Sequence, residues 1–322
     1  MHPSVSGVTD GSIFTKSSSM VTATVEFSDQ ERSPVLAVFI GVTAALIFGS
    51  ADFAGGMAAK RISAVRVTAI GGLSGLVILL LAFPLFPSVW STKAVLLGGV
   101  TGITGAFAVV LLYACLAIGP MSILSPLTAV ISAMVPVLAG VVRGEHRGGL
   151  GYVAIVVAFV AVVLVGFVPE KGAVRPSLRA LAMAVGAGAL IGAFLILIDL
   201  TPRDSGLVPL VMSRTVNAIV MFSAIGIGAV LARRRGTTPR AVGGWKPGLV
   251  LAIVAGVIDA IANALLLFGL RQGELTIQSV LTALYPAGTI LLAAIVLRER
   301  IAPIQIVGLV LALVAAALLA VG

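Results

Sequence analysis

Residues 119–145, GPMSILSPLTAVISAMVPVLAGVVRGE, return 154 positions later as residues 273–299, GELTIQSVLTALYPAGTILLAAIVLRE. The two stretches agree at Gly119/Gly273, Ile123/Ile277, Ser125/Ser279, Leu127/Leu281, Thr128/Thr282, Ala129/Ala283, Leu138/Leu292, Ala139/Ala293, Val142/Val296 and Glu145/Glu299. Agreements of Leu, Ala and Val come cheaply in a chain so rich in them. Ser, Thr and Glu held in register do not. Self-similarity at a fixed period marks a duplicated architecture.

The chain around this repeat has 322 residues, of which 59% are apolar and only 10% charged, with a mean hydropathy of +1.18. A soluble domain carries roughly 25% charged residues, so that class is excluded. The apolar runs are about 20 residues long and continuous, which selects membrane-spanning helices over the alternating strands of a barrel. The net charge of +9 comes mainly from Lys and Arg between the runs. Contact with anionic lipid headgroups accounts for it better than nucleic acid does. The one cysteine, Cys115, lies within an apolar run and supports neither a disulfide nor a metal site; no cofactor is expected.

Residues 1–33 lack a basic stretch followed by an apolar one and read as a disordered tail rather than a signal peptide. Ten spans follow: Val35–Met57, Val65–Phe86, Ala94–Ile118, Met121–Val142, Leu150–Val168, Leu181–Leu200, Leu207–Leu231, Leu249–Leu270, Leu275–Leu297 and Ile301–Val321. The expected fold is an all-α membrane protein whose ten transmembrane helices form two five-helix repeats, residues 34–169 and 179–322, joined by a polar linker at 170–178. Five is odd, so the copies must be inverted across the bilayer. Inverted repeats are a usual construction of secondary transporters and place the substrate site near the midplane, between the copies. The excess of Lys and Arg, above all the cluster Arg233–Arg235, falls on the loops that put both termini outside under the positive-inside rule.

Ionisable groups inside spans are costly, about 2.5–3.5 kcal/mol each at the helix centre, and so single themselves out. Asp52 lies in span 1. Asp259 and Asn263 are four apart on one face of span 8, and Arg214 and Asn217 three apart on one face of span 7. They face a polar cavity for proton exchange or substrate recognition, or they form an Asp–Arg pair holding the bundle. Span 9 carries Gln278, Thr282, Tyr285 and Thr289 at intervals of 4, 3 and 4, hence on one helical face. The corresponding seam in span 4 is Ser125, Thr128 and Ser132. Prolines 126, 136 and 286 free backbone carbonyls, which is tolerated where protein or a watery cavity satisfies them. Phe48, Phe53, Tyr113 and Tyr285 are the aromatics of the expected cavity, too few for a cage around large lipophilic cations.

Leu281-Thr-Ala-Leu-Tyr-Pro-Ala287, then apolar residues to Leu297-Arg-Glu299-Arg, then Gly308, resembles the signature of EamA-type transporters of the drug/metabolite transporter superfamily. In that pattern a proline in the penultimate helix of a repeat is followed 13 residues later by a loop-edge glutamate, as Pro286 and Glu299 are here. Ile47-Phe-Gly-Ser-Ala-Asp-Phe53 is similar to the family's opening. Ser132 stands where a second such proline would be, with Pro126 and Pro136 nearby. The resemblance implies metabolite or amino-acid export in the cell membrane and both termini in the cytoplasm, against the charge count.

Two rival classes remain. A polytopic enzyme would need a nucleophile–base pair or a metal; His2 and His146 sit outside the spans, and only an Asp52/Asp259 dyad is formally open. A passive channel would want a ring of equivalent polar groups, normally from oligomeric symmetry. The sequence is read as a secondary-active carrier, an exporter of a small organic solute, with proton coupling left open. Monomer and homodimer are both compatible with it.

Overall fold

The computed structural model describes residues 34–118, 121–144, 148–166, 177–234, 245–296 and 302–321. The tail at 1–33, the paired Glu145 and Glu299, His146, Arg235 and most of the linker lie outside the described residues.

Apolar side chains on every face and few internal breakers produce α1 (Pro34–Ala59), α2 (Ala64–Ala82), α3 (Thr92–Ile118), α4 (Met121–Val142), α5 (Gly149–Gly166), α6 (Leu178–Asp199), α7 (Val208–Arg234), α8 (Lys246–Gln272), α9 (Leu275–Thr282), α10 (Tyr285–Val296) and α11 (Pro303–Val321). Among the described residues, α1, α2, α3, α6, α7 and α8 are long and apolar enough to cross a membrane, while α4, α5 and α11 hold shorter apolar stretches. Serines cap exposed starts: Ser63 Oγ accepts from Arg66 N and Ser177 Oγ from Ala180 N, each satisfying a donor with no partner inside the helix.

The ninth span, expected as one helix over Leu275–Leu297, is two. The chain turns at Ala283–Leu284 between α9 and α10. Pro286 has no N–H for the carbonyl of Thr282, and its ring crowds that carbonyl. The turn tightens instead, with Leu284 N donating to Leu281 O at 3.0 Å and Ala287 N to Leu284 O at 2.9 Å. In α4, Ser132 occupies the matching position, its hydroxyl donating to Ala129 O. There the helix runs unbroken through Pro126 and Pro136.

Helices of the two halves interleave. α1 packs on α8 and on α9–α10; correspondingly, α6 packs on α3 and α4. α2 packs on α8 as α7 packs on α3, while α2 meets α7 and α5 meets α11. Each contact thus has a counterpart in which the halves exchange roles. Small residues permit the crossings. A Cβ at Gly288 on α10 would fall 2.5 Å from Leu46 O on α1, and Thr289 Oγ1 donates to Gly49 O at 3.0 Å across the same crossing. The stripe Gly98/Gly102 meets α7 at Pro209 and Ser213, and Gly256 meets α2 at Gly71, close approach being what small residues supply in membranes.

Candidate functional site

Between the halves lies a cavity in which water centres can occupy about 100 Å³. Its walls are largely apolar: Phe48 from α1, Leu112 from α3, Ile191, Phe194 and Leu195 from α6, and Leu266 from α8. Polar groups converge on it from five directions. α1 supplies Asp52, one turn beyond Phe48 on the same face. α7 supplies Ser213, Arg214 and Asn217; α8 supplies Asp259 and Asn263; α4 supplies Ser132; the α9–α10 break supplies Thr282 and Tyr285.

The charged groups are not equivalent. Arg214 Nη2 donates to Asp259 Oδ2, in a pair whose side chains are 12% and 26% exposed. Asn263 Nδ2 donates to the backbone oxygen of Asp259 at 2.8 Å, bracing the turn that carries the acid. Among the described residues, no side chain hydrogen-bonds or ion-pairs with the Asp52 carboxylate. Asn217 Oδ1 and Thr282 Oγ1 are buried without a hydrogen-bond partner among the described residues, and Asn217 Oδ1 is turned toward Gly72 on α2.

Asp52, Arg214, Asn217, Asp259, Asn263, Thr282 and Tyr285 therefore share one cavity. Other candidates lie elsewhere. Gln278 is fully buried, its Nε2 donating to Ala37 O at 2.8 Å, so it ties α9 to the start of α1. Thr128 is also fully buried; its hydroxyl bonds Leu124 O and, across to α6, Ala184 O at 3.2 Å. Tyr113 is buried with its hydroxyl against Gly55. Phe53 and Pro286 are off the cavity surface, and the Ser125 side chain lies outside the described residues. Ser213 was missed, although its four-residue spacing from Asn217 puts both on one helical face. Ile191, Phe194 and Leu195 carry no polar signal that could have marked them. Asp199, at the end of α6, takes a 2.8 Å hydrogen bond from Arg143, the residue after α4. Among the described residues no cluster of three or more His, Cys, Asp or Glu could hold a metal ion.

Apolar helices, six of the described ones long enough to cross a membrane, around a cavity holding charged side chains mark a multi-pass membrane protein. Residues 178–321 match the EamA-like transporter family. No curated protein matches in sequence. One crystal structure, described only as that of a protein, shares the fold with a TM-score of 0.63 and 16% identity over 88% of this chain and 94% of its own.

Proposed function

We propose that this protein is a secondary-active exporter of a small organic metabolite, working by alternating access in a ten-helix bundle of two inverted repeats in the plasma membrane. The observation that carries the reading is that positions equivalent under the repeat line the same cavity. Gly105 and Asp259, Val109 and Asn263, and Leu112 and Leu266 each differ by the 154-position shift, and all six are cavity-lining. Between α1 and α6 the shift is 143: Phe48 pairs with Ile191, Asp52 with Leu195, and all four line the cavity. The exchanged packing of α1 on α8 and α6 on α3 supports two copies related by an axis through this point, the arrangement expected of a carrier with a midplane site.

Proton coupling needs an acid whose charge is free to change. Asp259 is engaged by Arg214, and its counterpart Gly105 carries no charge. The acid left for coupling is Asp52. In proteoliposomes, a solute found by comparing metabolites of overexpressing and deletion cells should show saturable uptake that a proton gradient accelerates. Asp52→Asn should lose gradient-driven accumulation. Uptake that never saturates would point to a channel and refute the carrier reading.

A further inference from the structure

The cavity holds two carboxylates, Asp52 and Asp259, against one guanidinium, Arg214. The pair Arg214–Asp259 closes on itself, so the uncompensated charge is that of Asp52. An isolated carboxylate among apolar walls demands a counter-charge or a proton. The cavity that Asp52 shares is walled on its apolar side by the aromatic Phe48 and Phe194 and the aliphatic Leu112, Ile191 and Leu195. One free acid next to an apolar surface is complementary to a molecule with one positive end and a small apolar body.

Resting on the carrier reading above, we propose that the transported solute is a protonated primary amine whose ammonium group binds the Asp52 carboxylate in exchange for a proton. The ammonium brings N–H donors to an acceptor that has none, making a charge-assisted hydrogen bond. A quaternary ammonium has no N–H to give. A hard metal cation wants six or more oxygen ligands or its own water, and among the described residues no group of three or more His, Cys, Asp or Glu could hold one. A carboxylate-bearing solute would restore the excess negative charge unless it broke the Arg214–Asp259 pair. As the amine enters, the carboxyl proton of Asp52 leaves, so the site alternates between Asp52–COOH and Asp52–COO⁻ with ammonium at constant net charge. Among the described residues, the titratable groups around Asp52 are Asp259 from α8, Arg214 from α7, Tyr285 from α10, and Tyr113 from α3 beside Gly55, and α2, α9 and α11 present none to the cavity.

Binding of n-butylammonium, tetramethylammonium, sodium and butyrate to the purified full-length protein in detergent, followed by calorimetry, tests this without requiring flux. Butylammonium should bind best, and its affinity should fall as the pH is lowered, because protons compete for the same oxygens. Asp52→Asn should weaken it by about tenfold or more, the loss of a charge-assisted bond, and Asp52→Glu should retain most of it. Equal or tighter binding of any of the other three overturns the proposal, as does butylammonium binding untouched by Asp52→Asn. Should both variants fail to fold, the wild-type profile decides: butylammonium affinity independent of pH also overturns it. Butylammonium that binds but is never carried in proteoliposomes defeats the carrier reading alone. Saturable flux of another solute with no butylammonium binding defeats only the amine assignment.

Discussion

Removing the charge of Asp259 while leaving Arg214 in place should destabilise the protein before it affects any chemistry. In Asp259→Asn the guanidinium, only 12% exposed, keeps its burial and loses its counter-ion. At an effective dielectric near 20, two unit charges about 4 Å apart attract by about 4 kcal/mol, and breaking buried pairs from one side costs about 3–5 kcal/mol. Asp259 is 26% exposed to the cavity, so water can replace part of the lost interaction, and a cost of about 2–4 kcal/mol follows. For a chain of this size that is a fall of about 4–8 °C in melting temperature. The assay is thermal unfolding of detergent-purified Asp259→Asn, Arg214→Gln and the double variant. The double variant should lose clearly less than the two singles together, with a coupling of about 1–3 kcal/mol. A single variant melting with the wild type, or a cycle in which the losses simply add, would refute the view that this pair holds the bundle.

Two further outcomes are expected elsewhere. Pro286→Ala restores a donor for the Thr282 carbonyl and should let α9 and α10 join; membrane insertion should persist while flux in proteoliposomes falls, and unchanged kinetics would show that the break has no role. Gln278→Leu keeps the volume and loses the Nε2 bond to Ala37 O, but it also removes a buried Oε1 that lacks a partner among the described residues, so the two offset and stability should stay within about 1 kcal/mol, whereas Gln278→Ala also opens a cavity and should cost about 2–4 kcal/mol, both read by thermal unfolding.

The apolar helices were legible because a continuous apolar run about 20 residues long has one stable form in hydrocarbon; among the described residues six of them are long and apolar enough to cross a membrane. Asp52, Arg214, Asn217, Asp259 and Asn263 could be singled out for the related reason that charge and amide are costly there. The seam of span 9 was only half legible. Its spacing of 4, 3 and 4 assumes one helix, but the turn at Ala283–Leu284 re-phases it. Thr282 and Tyr285 reach the cavity, while Gln278 and Thr289 bond to the backbone of α1 at Ala37 and Gly49. Phe53 follows Asp52 by one residue, about 100° round the helix, and that step takes it off the cavity surface. The α6 wall was invisible, because Ile191, Phe194 and Leu195 look like any lipid-facing residue until the partner helices are known.

The interleaving of α1 with α8 and α10, and of α6 with α3 and α4, also bears on how the chain is made. During synthesis α1 emerges more than 180 residues before the helices that will cover it. Gly41, Gly49 and Gly55, which in the finished protein meet Leu281, Tyr285 and Tyr113, must wait among lipids or against the insertion machinery, and of these partners only Tyr113 belongs to the first half. A nascent chain halted after α5 would therefore display unmatched small-residue faces on α1 and α2. Completion of α8 and α10 is the step that closes the first helix in, which makes the last third of the chain the part on which assembly of the beginning depends.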